Sequence, residues 1–287
     1  MTGRRSKNHH FVPKALQRNF CFEGERIWYS QRQGDGVFFS PVERNIQKTF
    51  RKRNLYTVLD EADQPSDEVE RIFYGRLDDF LGKLIPEFLD HFSKGVVPNV
   101  VGGLLTSVQN AVFDLLKRTP EFIKTIDDLE VGSDLVESIL KETRERDFEK
   151  AEIDSFRDHY LKDNMLEAIG RDIRVRATLT KSQDVENALR QLRVRWARTP
   201  AKNSFILSSM IAYRIGNGGR NGLSNPAMEI WLPISPKVAM VLLRDPSGRV
   251  PLSVDISREK VREINIFAAR NSRQIASHSK ELIQSLI

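Results

Sequence analysis

Cysteine is almost absent from this chain: Cys21 is the only one in 287 residues. A lone thiol excludes an intramolecular disulfide and any metal site built from cysteines, and it fits a reducing compartment. Set between Phe20 and Phe22, it reads as buried rather than reactive. No run approaches the roughly 18 uncharged apolar residues that a membrane-spanning helix needs, so no membrane partner is expected. The basic start, Arg4, Arg5 and Lys7, runs into polar Asn8, His9 and His10 where a signal peptide would place an apolar stretch. A cytoplasmic location is therefore expected. Histidines are few, and His91, His159 and His278 show no His-x-x-x-His spacing. No nucleophile elbow, internal repeat or low-complexity tail is found.

What is present is an ordinary globular composition, 40% hydrophobic and 29% charged, with enough chain to bury a substantial core. The net charge of +6 hides an asymmetry. Residues 1–58 hold 12 Lys and Arg against 4 Asp and Glu, 59–170 hold 13 against 26, and 171–287 hold 20 against 9. Basic ends around an acidic centre invite an anionic partner such as nucleic acid. The alternative is that the ends pack electrostatically on the centre.

Periodicity predicts an α+β fold: a mainly helical centre, an N-terminal β-hairpin, and a C-terminal strand-rich segment packed on the centre. The expected single domain, 1–287, reads as four blocks. Residues 1–58 are a basic helix plus hairpin, in which Leu16 and Phe20 share a face behind Pro13 at the first helical position. Arg26–Ser30 and Val37–Phe39 would pair across Gly34-Asp35-Gly36, and Asn54–Val58 would be a further strand. Residues 59–192 are acidic and helical. Asp67 and Glu70 occupy capping-box positions ahead of a long amphipathic helix that Pro86 should kink or split. A second helix runs from Gly102-Gly103 to before Pro120, and 133–169 is charged enough to be a solvated helix pair. Residues 193–256 alternate strands and turns, with 194–197 and 205–207 joined by a polar turn. Residues 257–287 are a terminal helix.

Several residue sets are chemically suggestive. His9 and His10 stand side by side; neighbours diverge on a helix and alternate on a strand, so one of them at most serves a single site. Histidine titrates nearest neutrality, which suits a base or metal ligand; the structural alternative is a hydrogen bond to backbone. Arg273 and His278 have the Arg-x4-His gap of some helical toxin nucleases. The acid pairs Asp78-Asp79 and Asp127-Asp128 read as solvated faces. Gly216 to Gly222 departs from Gly-x-Gly-x-x-Gly and reads as a surface loop. Lys48, Arg51, Lys52 and Arg53, with Phe50 or Tyr56 for stacking, make a candidate nucleic-acid surface, as do Arg190, Arg193, Arg195 and Arg198 with Trp196.

The segment His10-Phe11-Val12-Pro13 with Leu16, Asn19 and Phe20 resembles the signature of the bacterial domain-of-unknown-function family 4238. Ile27-Trp28-Tyr29, Asn54-Leu55-Tyr56-Thr57, a helix led by Val69-Glu70, Trp231-Leu232-Pro233-Ile234-Ser235-Pro236 and an Asn265-containing helix follow in order. The resemblance covers most of the chain, and the opening motif alone is specific. One element departs: where the family carries Phe-x-x-Ser-Asp-Asn-Pro, this chain has Phe205-Ile206-Leu207-Ser208-Ser209-Met210-Ile211. The acid is lost here, or another carboxylate replaces it. Some members occur among anti-phage defence genes, so the resemblance implies an effector directed at nucleic acid. The expected site groups His10 as base or ligand with Glu70 and Arg18, performing phosphodiester hydrolysis with a divalent metal allowed. A non-catalytic nucleic-acid- or protein-binding sensor is the alternative. Substrate, metal and oligomeric state are not specified by the sequence.

Overall fold

The computed structural model describes residues 7–34, 36–123, 128–144, 149–200, 202–216, 222–223 and 225–287. In chain order the elements are β1 (Asn8–His10), α1 (Lys14–Arg18), β2 (Arg26–Gln31), β3 (Val42–Asn45), β4 (Arg51–Arg53), β5 (Val58–Leu59) and β6 (Pro65–Ser66). A π-helical stretch, Val69–Tyr74, leads into α2 (Gly75–Ser93), followed by α3 (Gly102–Lys117), α4 (Pro120–Ile123), α5 (Asp128–Arg144), α6 (Lys150–Tyr160), α7 (Asp163–Leu179) and α8 (Gln183–Arg190). The remainder is β7 (Leu192–Arg198), β8 (Leu207–Ser208), β9 (Tyr213–Gly216), β10 (Met228–Pro233), β11 (Val238–Arg244), β12 (Ser253–Asp255), α9 (Arg258–Asn271), β13 (Gln274–Ser277) and α10 (Lys280–Gln284). The fold is α+β. Pro86 lies inside α2, which continues through it.

The residues group into two compact units, each gathered from separate stretches. Neither coincides with the blocks read from composition, because composition follows the chain while packing gathers distant segments.

The smaller unit comprises Met1–His9, Lys52–Arg76 and Ile123–Thr180. Its helices α5 and α7 touch through glycine. A Cβ at Gly132 would lie 2.0 Å from the Leu166 carbonyl oxygen, and one at Gly170 would lie 1.7 Å from that of Asp128. This close approach lets Val136, Leu140 and Leu166 form a buried cluster, covered by Ile153, Phe156, Tyr160 and Ile169. The expected solvated helix pair therefore has a core. Arg174 clamps Asp128 with two hydrogen bonds, at 2.6 and 3.0 Å. The Leu59 N–H donates to Asp172 at 2.8 Å and Arg176 returns a bond to the Leu59 carbonyl at 2.9 Å, tying β5 to α7. Asn54 takes a positive φ of 53° and opens a turn, so the strand expected over 54–58 shrinks to Val58–Leu59.

The larger unit comprises His10–Arg51, Leu77–Phe122 and Lys181–Ile287. It holds a five-stranded sheet, β12-β7-β11-β10-β9, and a four-stranded sheet, β3-β2-β13-β8. The expected N-terminal strand pair forms, but β2 takes β3 as its partner, with Tyr29 opposite Val42. Phe38 makes only an isolated bridge to Arg32. The terminal helix expected over 257–287 is interrupted: Ser272 ends α9, and β13 pairs Ala276 with Tyr29 on one side and Leu207 on the other. The strands expected at 194–197 and 205–207 exist near those positions but enter different sheets, with β7 beside β11 and β12 and β8 beside β13. Trp196 anchors the five-stranded sheet, donating to the Pro98 carbonyl at 2.7 Å between the edges of Phe88 and Phe92. Asn265 fastens α9 to the segment before β8, accepting from Ile206 N–H at 3.1 Å and donating to the Ser204 carbonyl at 2.9 Å.

Candidate functional site

The opening motif is fixed by its own neighbours in the larger unit. Phe11 N–H donates to the Phe50 carbonyl at 3.0 Å, and the two rings meet edge to face. Buried Gln17 spans the motif: its Nε2 donates to the Val12 carbonyl at 2.9 Å, and its Oε1 accepts from Thr49 Oγ1 at 2.6 Å. Pro13 is the N-cap of α1, one residue ahead of the expected first helical position, and Leu16 and Phe20 are buried as their spacing predicts. The chain is thus anchored immediately after His10.

Beneath it lies Arg118, whose side chain is fully buried. Its guanidinium forks onto Asp78, with Nη1 reaching Oδ1 and Nη2 reaching Oδ2 at 3.1 Å, and Nη2 also donates to the His10 carbonyl at 2.6 Å. A buried guanidinium needs both a counter-charge and neutral acceptors, and this one has them. Asp78, read from sequence as part of a solvated face, is the partner that makes a buried arginine tenable here.

The His10 imidazole is held down to about 4, first by burial and then by the charge of Lys14, with Arg118 and Arg51 adding to the effect and a hydrogen bond to the Ile46 backbone opposing it. It is neutral at physiological pH. Nε2 is buried without a hydrogen-bond partner among the described residues. The Ile46 bond therefore belongs to Nδ1–H, and Nε2 carries the unshared pair. Lys14 is steered by Gln47 Oε1, and Gln47 in turn donates to Glu25 at 3.4 Å.

The other expected site residues fall as follows. Arg18 is exposed and pairs with Glu25 at 3.5 Å. Lys48 and Arg51 are exposed residues of the larger unit, whereas Lys52 and Arg53 are exposed residues of the smaller one. Glu70, also in the smaller unit, is half-buried in the π-helical stretch, and the residue preceding that stretch, Glu68, makes no side-chain cap. Within the larger unit His10 lies with Lys14, Arg51 and Arg118 and, through Arg118, with Asp78. His9 has a different task in the smaller unit: fully buried, its Nδ1 accepts the Tyr56 N–H at 3.0 Å and its ring stacks on Tyr56. Arg273 and His278 do not share a helix, since β13 lies between them, so the Arg-x4-His reading loses its context. Most of the Gly216–Gly222 loop and the residues Arg4, Arg5 and Asp127 lie outside the described residues. Cys21 is half-buried, and its thiol is pushed up to about 11 by burial and by Glu25.

Sequence reading missed Arg118 and Glu121. Glu121 meets the segment that departs from the family pattern. Ser209, fully buried, donates to Glu121 Oε1, which also accepts the Arg273 N–H at 3.0 Å; Ser209 Oγ accepts the N–H groups of Arg273 and Gln274 at 3.0 and 3.2 Å. A carboxylate does stand at this segment, supplied by α4. The Arg118-Thr119-Pro120-Glu121 stretch had no periodic or motif signal, because its partners are distant in sequence.

Among the described residues no group of three or more His, Cys, Asp or Glu side chains is arranged to hold a metal ion. Likewise, no described helix is long and apolar enough to cross a membrane. No curated protein and no solved structure matches the chain. A family model described as a protein of unknown function, DUF4238, matches residues 8–281, from the opening motif through β13 and into α10. The chain belongs to the DUF4238 family.

Proposed function

We propose that the opening motif is a phosphodiester-binding and -cleaving site, and that the protein is an effector acting on nucleic acid, in keeping with a role in bacterial anti-phage defence or as a toxin. The observation that carries this reading is the neutral His10, whose Nε2 pair is unused among three cationic side chains, Lys14, Arg51 and Arg118. A neutral imidazole is the form that accepts a proton, and cations beside it are what a phosphodiester anion requires. Arg51 and Lys48, both exposed, would meet the phosphate; Arg118, committed to Asp78, would hold the His10 backbone. Arrival of an anion would offset the cationic field and raise the affinity of His10 for a proton towards the useful range. Water would attack phosphorus as His10 Nε2 takes its proton, and the departing ribose oxygen would be protonated from solvent. No ligand set on these residues assigns a step to a metal.

A second reading, a non-catalytic nucleic-acid- or protein-binding module, is favoured by the burial of the same Nε2, which water does not reach in this conformation. Incubation of the protein with DNA, RNA and tRNA, with and without Mg²⁺ or Mn²⁺, beside His10→Ala separates the two. Cleavage lost in the variant supports the hydrolase. Salt-sensitive binding without cleavage, kept by the variant, leaves the binding module.

A further inference from the structure

The larger unit contains a cavity of about 340 Å³ that shares no residue with the opening motif. It is lined by α9, α10 and the segment 202–204, and its polar wall is one-sided in charge. Lys202, Arg258, Arg262 and His278 face it, and no Asp or Glu is among the lining residues; the Ser279 and Ser285 hydroxyls donate to Glu281 and to the Leu282 carbonyl. The arrangement is written into α9. Ser257 caps the helix through the Lys260 N–H, so Arg258 is the first helical residue and Arg262, four residues on, shares its face.

On a bare helix this pattern is unfavourable twice over. Like charges at a spacing of four repel, and a cation in the first turn opposes the helix dipole. The same helix shows the usual remedy elsewhere, since Lys260 binds Glu263 at 3.2 Å. Among the described residues neither Arg258 nor Arg262 nor Lys202 makes an ion pair. The opposite wall adds to the positive potential: Lys237 donates to Ser204 Oγ at 3.3 Å, and its charge, after burial, lowers the proton affinity of His278. Asn265 cannot relieve this, because both ends of its amide are committed to Ser204 and Ile206. A half-open cavity whose rim carries exposed Lys202, Arg258 and Arg262, with no carboxylate in its lining, suits a compact multiply charged oxyanion.

We propose that this cavity binds the phosphate group of a small phosphorylated molecule, with Arg258 and Arg262 forming the guanidinium clamp and Lys202 supplying a further charge. A small molecule is favoured over a nucleic-acid strand by the size of the cavity, about 340 Å³, which a single phosphorylated molecule fills. The proposal is independent of the reading of His10.

Isothermal titration of the whole protein with inorganic phosphate, a nucleoside 5′-monophosphate and the uncharged nucleoside tests it, backed by ³¹P line broadening. The phosphate-bearing probes should bind and the nucleoside should not. Arg258→Gln with Arg262→Gln should weaken binding by roughly a hundredfold, about tenfold for each guanidinium removed. The remote surface change Arg249→Gln should leave it unchanged. Circular dichroism checks the double variant for folding; Lys202→Gln, on the exposed rim, serves if it is unfolded and should cost roughly tenfold. Absence of phosphate binding, or binding indifferent to these substitutions, overturns the proposal. A single-stranded oligonucleotide that displaces the monophosphate and shows the same sensitivity to Arg258 and Arg262 overturns the small-molecule assignment.

Discussion

Among the described residues each unit buries one arginine side chain that pairs with an aspartate, and the two pairs differ in what else they hold. In the smaller unit Arg174 meets Asp128 across α5 and α7, where glycines already bring the backbones into contact. Its pair reinforces packing that small residues create. In the larger unit Arg118 meets Asp78 and, with the same Nη2, the carbonyl of His10. Its pair fixes a backbone segment that carries a neutral histidine. Like chemistry thus closes a helix interface in one place and orients a candidate reactive group in the other.

The sharpest way to break the comparison is at the glycines. Gly170→Ala places a methyl where the Asp128 carbonyl now stands, so α5 and α7 must separate. A loss of about 3 kcal/mol or more is expected, in the range of severe overpacking. Amide exchange read along the chain should show protection falling within 128–179 and persisting in the strands β7, β10 and β11. Uniform loss of protection would mean that the two units unfold as one.

Next in size are the arginines themselves. Arg118→Met and Arg174→Met each leave a carboxylate without its clamp, and one-sided removal from a buried pair costs about 3 kcal/mol. Asp78 and Asp128 keep some exposure to solvent, which limits the loss. Urea melts should show similar destabilisation for the two. Only Arg118→Met should also disturb the opening motif, seen as a changed His10 imidazole resonance and, if cleavage is found, as a drop in kcat. Equal effects on that resonance would erase the distinction drawn between the pairs.

These features divide by how far the relevant partners lie apart in sequence. The helices α2 and α3 and the strand pair β10–β11 were legible because a periodic apolar pattern is a local property. Leu16 and Phe20 were legible for the same reason. β13 was not: its four residues, Gln274-Ile275-Ala276-Ser277, become a strand only because β2 and β8 flank them, more than 200 and about 65 residues away. The long terminal helix was the natural reading without those neighbours. The candidate site divides likewise. His10 stood out by residue type and motif, whereas Arg118, Asp78 and Glu121 carry no signal until folding brings them to the opening motif or to Ser209. Glu70 drew notice through its spacing, and it lies half-buried in the π-helical stretch of the smaller unit.

Acid should expose the state of His10. Its folded value of about 4 lies below the 6.5 of an unfolded histidine, so between those values the unfolded chain binds a proton that the folded chain refuses. Stability is then insensitive to this group above pH 6.5 and falls as pH drops from 6.5 towards 4. Allowing for screening of a group that is partly solvent-exposed, the loss is roughly 2 kcal/mol. His278 shifts in the same direction, so the measurement is the difference between wild type and His10→Gln in melts across that window. A flattened curve in the variant is expected. Identical curves would mean that His10 is solvated and that its cationic surroundings do not act on it.

The smallest effect is expected at Arg18, and it separates placement from proximity in sequence. Arg18 is exposed, as is much of Glu25, and such a pair is worth less than about 1 kcal/mol. Arg18→Ala should barely move a melting curve. If Arg18 stabilised developing charge at phosphorus, the same substitution would still lower cleavage or nucleic-acid binding sharply. On the proposed reading that place belongs to Arg51, whose charge reaches the His10 ring, while Arg18 is engaged by Glu25. Filter binding across a salt series should therefore show a shallower salt dependence for Arg51→Ala than for Arg18→Ala, since each phosphate left without its cation takes about one unit from the slope. The reverse order would return Arg18 to the site and displace Arg51 from it.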